Sequence, residues 1–114
     1  MGRIVERSGE IIAVRNSDSL ETAADEMVRH RIGCLVVNDP QGKFCGIITE
    51  RDIMNAVARG ESKQTRIAGI MTNKVVSCPP GTEVSKALDI LAANHIRHLP
   101  IVENDRLVGI VSIR

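Results

Sequence analysis

IAVRNSDSLETAADEMVRHRIGCL, residues 12–35, lies over VSCPPGTEVSKALDILAANHIRHL, residues 76–99, without a gap. The offset that carries Ile32 onto Ile96 also carries Ala23 onto Ala87, Asp25 onto Asp89 and Leu35 onto Leu99. With one extra residue allowed in the first copy, Gly46-Ile47-Ile48-Thr49-Glu50-Arg51 falls on Gly109-Ile110-Val111-Ser112-Ile113-Arg114, where the sequence ends. The chain is an internal duplication, so the two copies are expected to fold alike.

Each copy opens on a short apolar run, residues 11–14 and 75–78, with turn formers behind it (Asn16-Ser17-Asp18 and Pro79-Pro80-Gly81), which predicts a brief strand. A helix follows. Leu20, Ala23, Ala24, Met27 and Val28 recur at the spacing that puts them on one face of a 3.6-residue period, and Val84, Ala87, Leu88, Leu91 and Ala92 repeat that face. Asp18, three residues before Glu21, predicts a capping box, with Thr82 as the equivalent cap in the second copy. The helices are expected to end near Arg31 and His95. Apolar, strand-like runs resume at 34–37 and 99–102, and turn formers at 38–42 and 103–105 lead into a second strand in each copy, so each carries a β-hairpin. The first copy alone continues into a helix over 51–58, closed by Gly60. Residues 61–66 read as a polar connector and 67–71 as a short helical turn.

These elements predict an α/β (α+β) fold of two pseudo-symmetric β-α-β-β-α repeats, the second truncated at its C-terminal helix. The expected division is 1–60 for the first repeat with its lead-in, 61–69 for a connector and 70–114 for the second repeat. A single unit of about 50 residues has too little core to stand alone, so the two are expected to pack sheet to sheet, forming clefts suited to a small ligand.

Composition narrows the function. Among 114 residues, 15 Lys and Arg balance 14 Asp and Glu to a formal charge of +1, too little to draw the chain onto a nucleic-acid polymer or an anionic membrane. Phe44 is the one residue among Phe, Trp and Tyr, which leaves no platform for stacking single-stranded bases. No run approaches the ~20 apolar residues of a membrane span, and residues 1–10 are too charged for a secretion signal, so a cytoplasmic location is expected. Cys34, Cys45 and Cys78 are odd in number and lack CxxC spacing; they read as packed thiols rather than disulfides or zinc ligands. His95 and His98 lack further ligands at metal-binding spacing, and no metal is expected. No nucleophile with its base, and no acid/base pair, is apparent, so the chain is not expected to be an enzyme.

Several motifs then fall into order: Ile32-Gly33-Cys34-Leu35-Val36-Val37 and Gly46-Ile47-Ile48-Thr49-Glu50-Arg51-Asp52-Ile53 in the first copy; Ile70-Met71-Thr72, Ile96-Arg97-His98-Leu99-Pro100-Ile101 and Gly109-Ile110-Val111-Ser112 in the second. Each is weak singly. Twice over and at this spacing, the sequence resembles a tandem pair of cystathionine-β-synthase (CBS) domains, a Bateman module, from about residue 10 to residue 114. The resemblance implies a regulatory module that binds an adenosine-containing ligand, such as AMP, ADP, ATP, NAD(H) or S-adenosylmethionine, and commonly pairs into a homodimer. It also implies that Ile12, Ala13, Val14, Val76, Ser77, Cys78 and Pro79 line the adenine pockets, and that Arg97 and His98, followed by Pro100, face phosphates.

The chemistry of the Thr-x-x-Asp spacing is legible beside that resemblance. Asp52 at a helix start is placed to accept from the 2′- and 3′-hydroxyls of a ribose, while Thr49, Arg51 and free helix N–H groups face a phosphate. The bland alternatives stand too: Asp52 as a carboxylate favouring the helix dipole, Arg97 as a solvated charge, His98 as a half-buried histidine. Gly33 and Cys34 occupy the positions of Arg97 and His98 in the first copy, and Ser112 lacks the carboxylate that would stand at 115. The Thr49/Asp52 site is therefore favoured over its mate. The expected function is a non-catalytic nucleotide sensor acting on its own assembly or on a regulated partner protein; the alternatives are an interaction scaffold and a regulatory part of a larger enzyme or transporter.

Overall fold

The computed structural model describes residues 4–7 and 12–113, with side chains from Ile12 onward. Its elements are β1 (Ile4–Arg7), β2 (Ala13–Arg15), α1 (Leu20–His30), β3 (Cys34–Asn38), β4 (Phe44–Thr49), α2 (Glu50–Ala58), a 3₁₀ turn (Ile67–Gly69), α3 (Val84–Ala93), β5 (His98–Glu103) and β6 (Arg106–Ile113). They form two units. One is Ile12–Lys74; the other joins β1 to residues 75–113. These units do not coincide with the segments 1–60, 61–69 and 70–114 drawn from the repeat. The lead-in strand pairs with the second copy, and the connector stays with the first.

In the first unit β3 is central, parallel to β2 (Ala13 opposite Val36) and antiparallel to β4 (Leu35 opposite Ile48). Residue 11 of the expected first strand lies outside the described residues. Every second inward residue feeds one core: Val14, Leu35, Val37 and Ile48 from the sheet meet Leu20, Ala23 and Met27 of α1 and Ala56 of α2. Ile67 and Ile70 complete it from the connector. The connector reaches that core on a backbone frame. Ile67 N donates to Asp18 O at 2.8 Å, Ala68 N to Asn16 O at 2.9 Å, and Leu20 N to Thr65 O at 2.8 Å. The Arg66 guanidinium adds a bond to Ser17 O at 2.6 Å.

The helix caps differ from expectation. Ser19, not Asp18, caps α1: it is the last extended residue (φ −90°, ψ 162°), and its hydroxyl accepts from Thr22 N. Asp18 is drawn instead to Arg15 N at 2.9 Å, closing the turn before the helix. In the second copy Glu83 holds the cap position without a side-chain bond, while the Thr82 hydroxyl donates to Pro79 O at 2.7 Å. The buried stripes are also narrower than their period. Ala23 and Met27 are buried in α1 and Ala87 and Leu91 in α3, but Val28, Val84 and Leu88 are exposed. Both helices end as their spacing implied, on left-handed residues 64 positions apart, Arg31 (φ 54°) and His95 (φ 53°).

In the second unit β6 is central, antiparallel to β5 and to β1, with Ile4 opposite Ile113. The strand expected over 75–78 contracts to a single parallel bridge from Cys78 to Ile101, held by Cys78 N to Pro100 O (3.0 Å) and Val102 N to Cys78 O (2.9 Å). Pro79 and Pro80 have no N–H with which to extend the ladder. Cys78, Ala87, Leu91, Leu99 and Val111 form the core. The β5–β6 turn is the two residues Asn104-Asp105, both with positive φ (51° and 62°), the type I′ pattern whose twist suits a hairpin. In the longer β3–β4 connection the Asp39 carboxylate accepts from Gln41 N and Lys43 N, each at 2.9 Å.

Candidate functional site

Thr49 is the last residue of β4 and the N-cap of α2; Asp52 is the third residue of that helix. Their bonds are reciprocal. Asp52 N donates to Thr49 Oγ1 at 3.3 Å, Thr49 N donates to Asp52 Oδ2 at 3.0 Å, and the Thr49 hydroxyl donates to the same oxygen at 3.2 Å. This capping box satisfies donors that a helix start leaves open and fixes the carboxylate at the positive end of the helix. The bland reading of Asp52 is thus structurally present. It does not consume the group, because a carboxylate has about four acceptor positions and the box uses one oxygen.

The carboxylate also meets Thr72, which the sequence offered as part of the Ile70-Met71-Thr72 motif but not as a site residue. Thr72 Oγ1 donates to Asp52 Oδ1 and Oδ2, both at 3.2 Å. Thr72 reaches that position because its backbone is clamped to β4: Thr72 N donates to Ile47 O at 2.8 Å, and Ile47 N to Thr72 O at 3.0 Å. Gly46 makes room for the crossing, since a Cβ there would run into Met71 Cε and Thr72 O and lie 3.2 Å from Asn73 Cα. The sequence signal for this was present but indirect: a glycine inside a strand marks close approach of another backbone, without saying which.

Around this centre, Cys34 stands opposite Thr49 in the β3–β4 ladder. Burial, and secondarily the Asp52 charge, push its thiol up to about 12, so it presents a neutral S–H. The Cys45 thiol is raised as well, by burial and then by Asp39. Glu50 N closes onto Gly33 O at 3.0 Å, and the matching bond in the second copy, Ile113 N to Arg97 O, has the same length. Arg51 is exposed. Of the β2 residues, Val14 is buried in the core, Ile12 is half-buried with its carbonyl accepting from Val36 N, and Ala13 is exposed.

In the second unit His98 Nδ1 lies 3.0 Å from Ser112 Oγ, joining two predicted site residues across the β5–β6 pair. Arg97 is exposed, Pro100 buried, Val76 half-buried and Ser77 exposed. Cys78 and Pro79 line a pocket of about 280 Å³ with Pro80, Gly81, Thr82, Val84, Ala87, Ile101, Val108 and Val111. In the first unit the counterparts of Cys78, Val84, Ala87, Ile101 and Val111 are Val14, Leu20, Ala23, Val37 and Ile48, which pack with Ile67 and Ile70. Among the described residues no three His, Cys, Asp or Glu side chains gather as a metal site, and no helix is long and apolar enough to cross a membrane.

A family model for the CBS domain matches the chain twice, over residues 4–59 and 67–114. This chain belongs to the CBS-domain family. As a CBS pair it is 43% identical over 106 residues to an uncharacterised 17.7 kDa protein of Acidianus ambivalens, covering 92% of this chain and 64% of that one. It is 38% identical over 102 residues to the mitochondrial CBS domain-containing protein CBSX3 of Arabidopsis thaliana, covering 84% of this chain and 50% of that one. The chain therefore spans between half and two thirds of these relatives. Among solved structures, the CBS domain pair of protein MJ0100, in complex with 5′-methylthioadenosine and S-adenosyl-L-methionine, superposes with a TM-score of 0.83 at 31% identity over 92% of this chain and 83% of that one. The duplication and the mixed α+β repeats are thus those of a tandem CBS pair.

Proposed function

We propose that this CBS pair is a non-catalytic sensor of an adenosine-containing nucleotide, with AMP, ADP, ATP, NAD(H) and S-adenosylmethionine as the candidate ligands. The observation that carries this reading is the Asp52 carboxylate: it is fixed at a helix start by Thr49, with Oδ1 outside the capping box. A carboxylate so held suits a ribose hydroxyl, and the helix N-terminus beside it suits a phosphate. The adenosine ligands of the MJ0100 pair support the ligand class. In this reading Ala13 and Arg51 border the first site, and Arg97, His98 and Ser112 serve the second repeat.

The output is a population shift between arrangements of a homodimer, passed to a regulated partner protein in the cytoplasm. An open groove of about 420 Å³ between α1 and α2 favours self-association: Met27, Val28, Ile53 and Met54 give it an apolar floor, with Arg31 and Glu50 as opposite charges. Val28 and Met54 are 78% and 69% exposed, a large apolar area to leave in water. Isothermal titration calorimetry of the wild type and Asp52→Asn against AMP, ADP, ATP, NADH and S-adenosylmethionine tests the reading. Micromolar binding of one ligand, lost in Asp52→Asn, is the expected result; flat titrations of both, with no binding unmasked when another group bonded to the Asp52 carboxylate is removed, overturn it and leave the scaffold alternative.

A further inference from the structure

We propose that the Thr72 hydroxyl is a built-in competitor for the Asp52 carboxylate and so sets the affinity and ribose selectivity of the first site. The inference rests on the reading of Asp52 as a ribose anchor, and it adds a residue from outside the Thr-x-x-Asp motif. The argument is a count of acceptor positions. A carboxylate offers about four. Thr49 N–H and Thr49 O–H fill the two on Oδ2, and the single Thr72 proton is shared between Oδ2 and Oδ1 at 3.2 Å each. A vicinal diol needs two positions, and both cannot be found while Thr72 donates. Ligand uptake therefore requires the Thr72 side chain to rotate away.

Two features keep the competitor in place. Its backbone is bonded in both directions to Ile47, so the hydroxyl is presented from a fixed strand-like position rather than from a loose loop. Gly46 beneath it permits that approach. Thr72 itself is exposed, so its hydroxyl can turn to water once displaced. The same short segment carries Ile67 and Ile70 into the core of the unit, which ties the position of the competitor to the packing of the connector.

The test uses the full chain with Thr72→Val, Thr72→Ala and Thr72→Ser, checked for folding by circular dichroism. Each is titrated calorimetrically with AMP, S-adenosylmethionine and, as the probe lacking one ribose hydroxyl, 2′-deoxy-AMP. Removal of a hydrogen bond to a charged group predicts that Thr72→Val and Thr72→Ala bind AMP or S-adenosylmethionine roughly tenfold more tightly than wild type. Thr72→Ser should stay within about twofold, and 2′-deoxy-AMP should gain much less than AMP. Binding that appears only in Thr72→Val or Thr72→Ala also supports the competitor. Unchanged or weakened AMP or S-adenosylmethionine binding in Thr72→Val and Thr72→Ala, with a wild type that binds, overturns it and leaves the sensor reading intact. An equal gain for the deoxy probe also overturns it, because a change in packing alone would not discriminate the hydroxyl. Flat titrations of wild type and all variants overturn the sensor reading and the competitor together.

Discussion

Replacing Ile67 by Ala tests whether the connector is part of the first repeat's core. The side chain is fully buried, at 0% exposure, in a cluster with Val14, Leu20, Val37 and Ile48. Truncating a buried Ile removes its transfer free energy and leaves a cavity, a combination that costs about 2–5 kcal/mol. The backbone around Ile67 is pinned by bonds to Asp18 O and Asn16 O, so the site has little freedom to collapse. We therefore expect about 3 kcal/mol, a large share of the ~5–15 kcal/mol that stabilises an ordinary domain. Ile67→Val should cost only ~0.5–1.5 kcal/mol. Lys63→Ala, an exposed change in the same segment, should stay within about 0.5 kcal/mol. The assay is urea denaturation at 25 °C followed by circular dichroism, with the midpoint compared at constant slope. A loss below about 1 kcal/mol for Ile67→Ala would refute the reasoning, because a connector that merely links two repeats tolerates the truncation.

Four other outcomes follow from local geometry and from the burial of Cys34. Asp105→Gly, at a residue with φ of 62° in the β5–β6 turn, should stabilise the protein by about 0.5–1 kcal/mol in the same denaturation assay, since glycine enters that conformation without the Cβ penalty. Ser19→Ala should cost about 1 kcal/mol through loss of the α1 cap, and a null result would return that role to Asp18. The Cys34 thiol, raised to about 12 from the 9.0 of an ordinary thiol, should be alkylated by iodoacetamide at pH 8 at least about tenfold more slowly than a free cysteine, its scarcer thiolate outweighing its higher nucleophilicity, as read by mass spectrometry of the Cys34 peptide. The same shift fixes a sign for stability: the folded state favours the neutral thiol, so its contribution is intact below pH 9 and is lost as pH rises towards 12. Cys34→Ser should flatten that alkaline decline.

Much of the fold was legible because duplication states each pattern twice. The apolar face through Leu20, Ala23 and Met27 is repeated through Val84, Ala87 and Leu91, and the helix ends at Arg31 and His95 sit at matching positions. What was not legible depended on partners far along the chain. Ile4-Val5-Glu6-Arg7 has no alternating pattern long enough to announce a strand, and becomes β1 only because β6 lies ready to pair with it. Ile67 and Ile70 stand in a run of five residues, 67–71, too short to announce a core element, and their burial comes from the backbone frame that folds 65–68 against the turn before α1. Asp18 and Ser19 are both good caps, and the choice between them was made by Arg15 N, which captures the carboxylate. For the site, the Thr49–Asp52 pair followed from the Thr-x-x-Asp spacing read together with the family resemblance, whereas its link to Thr72 needed the crossing over Gly46.

The pairing of β1 with β6 has a consequence for how the chain comes off the ribosome. All of the first unit is encoded between residues 12 and 74, so its contacts can close while the second repeat is still being made. By contrast, β1 emerges ahead of everything described above and has no partner until residues 110–113 appear. Closing so long a loop is slow, and an unpaired edge strand is a hazard while it waits. Glu6 and Arg7 place two charges in that segment, and charge on an unpaired strand disfavours edge-to-edge association.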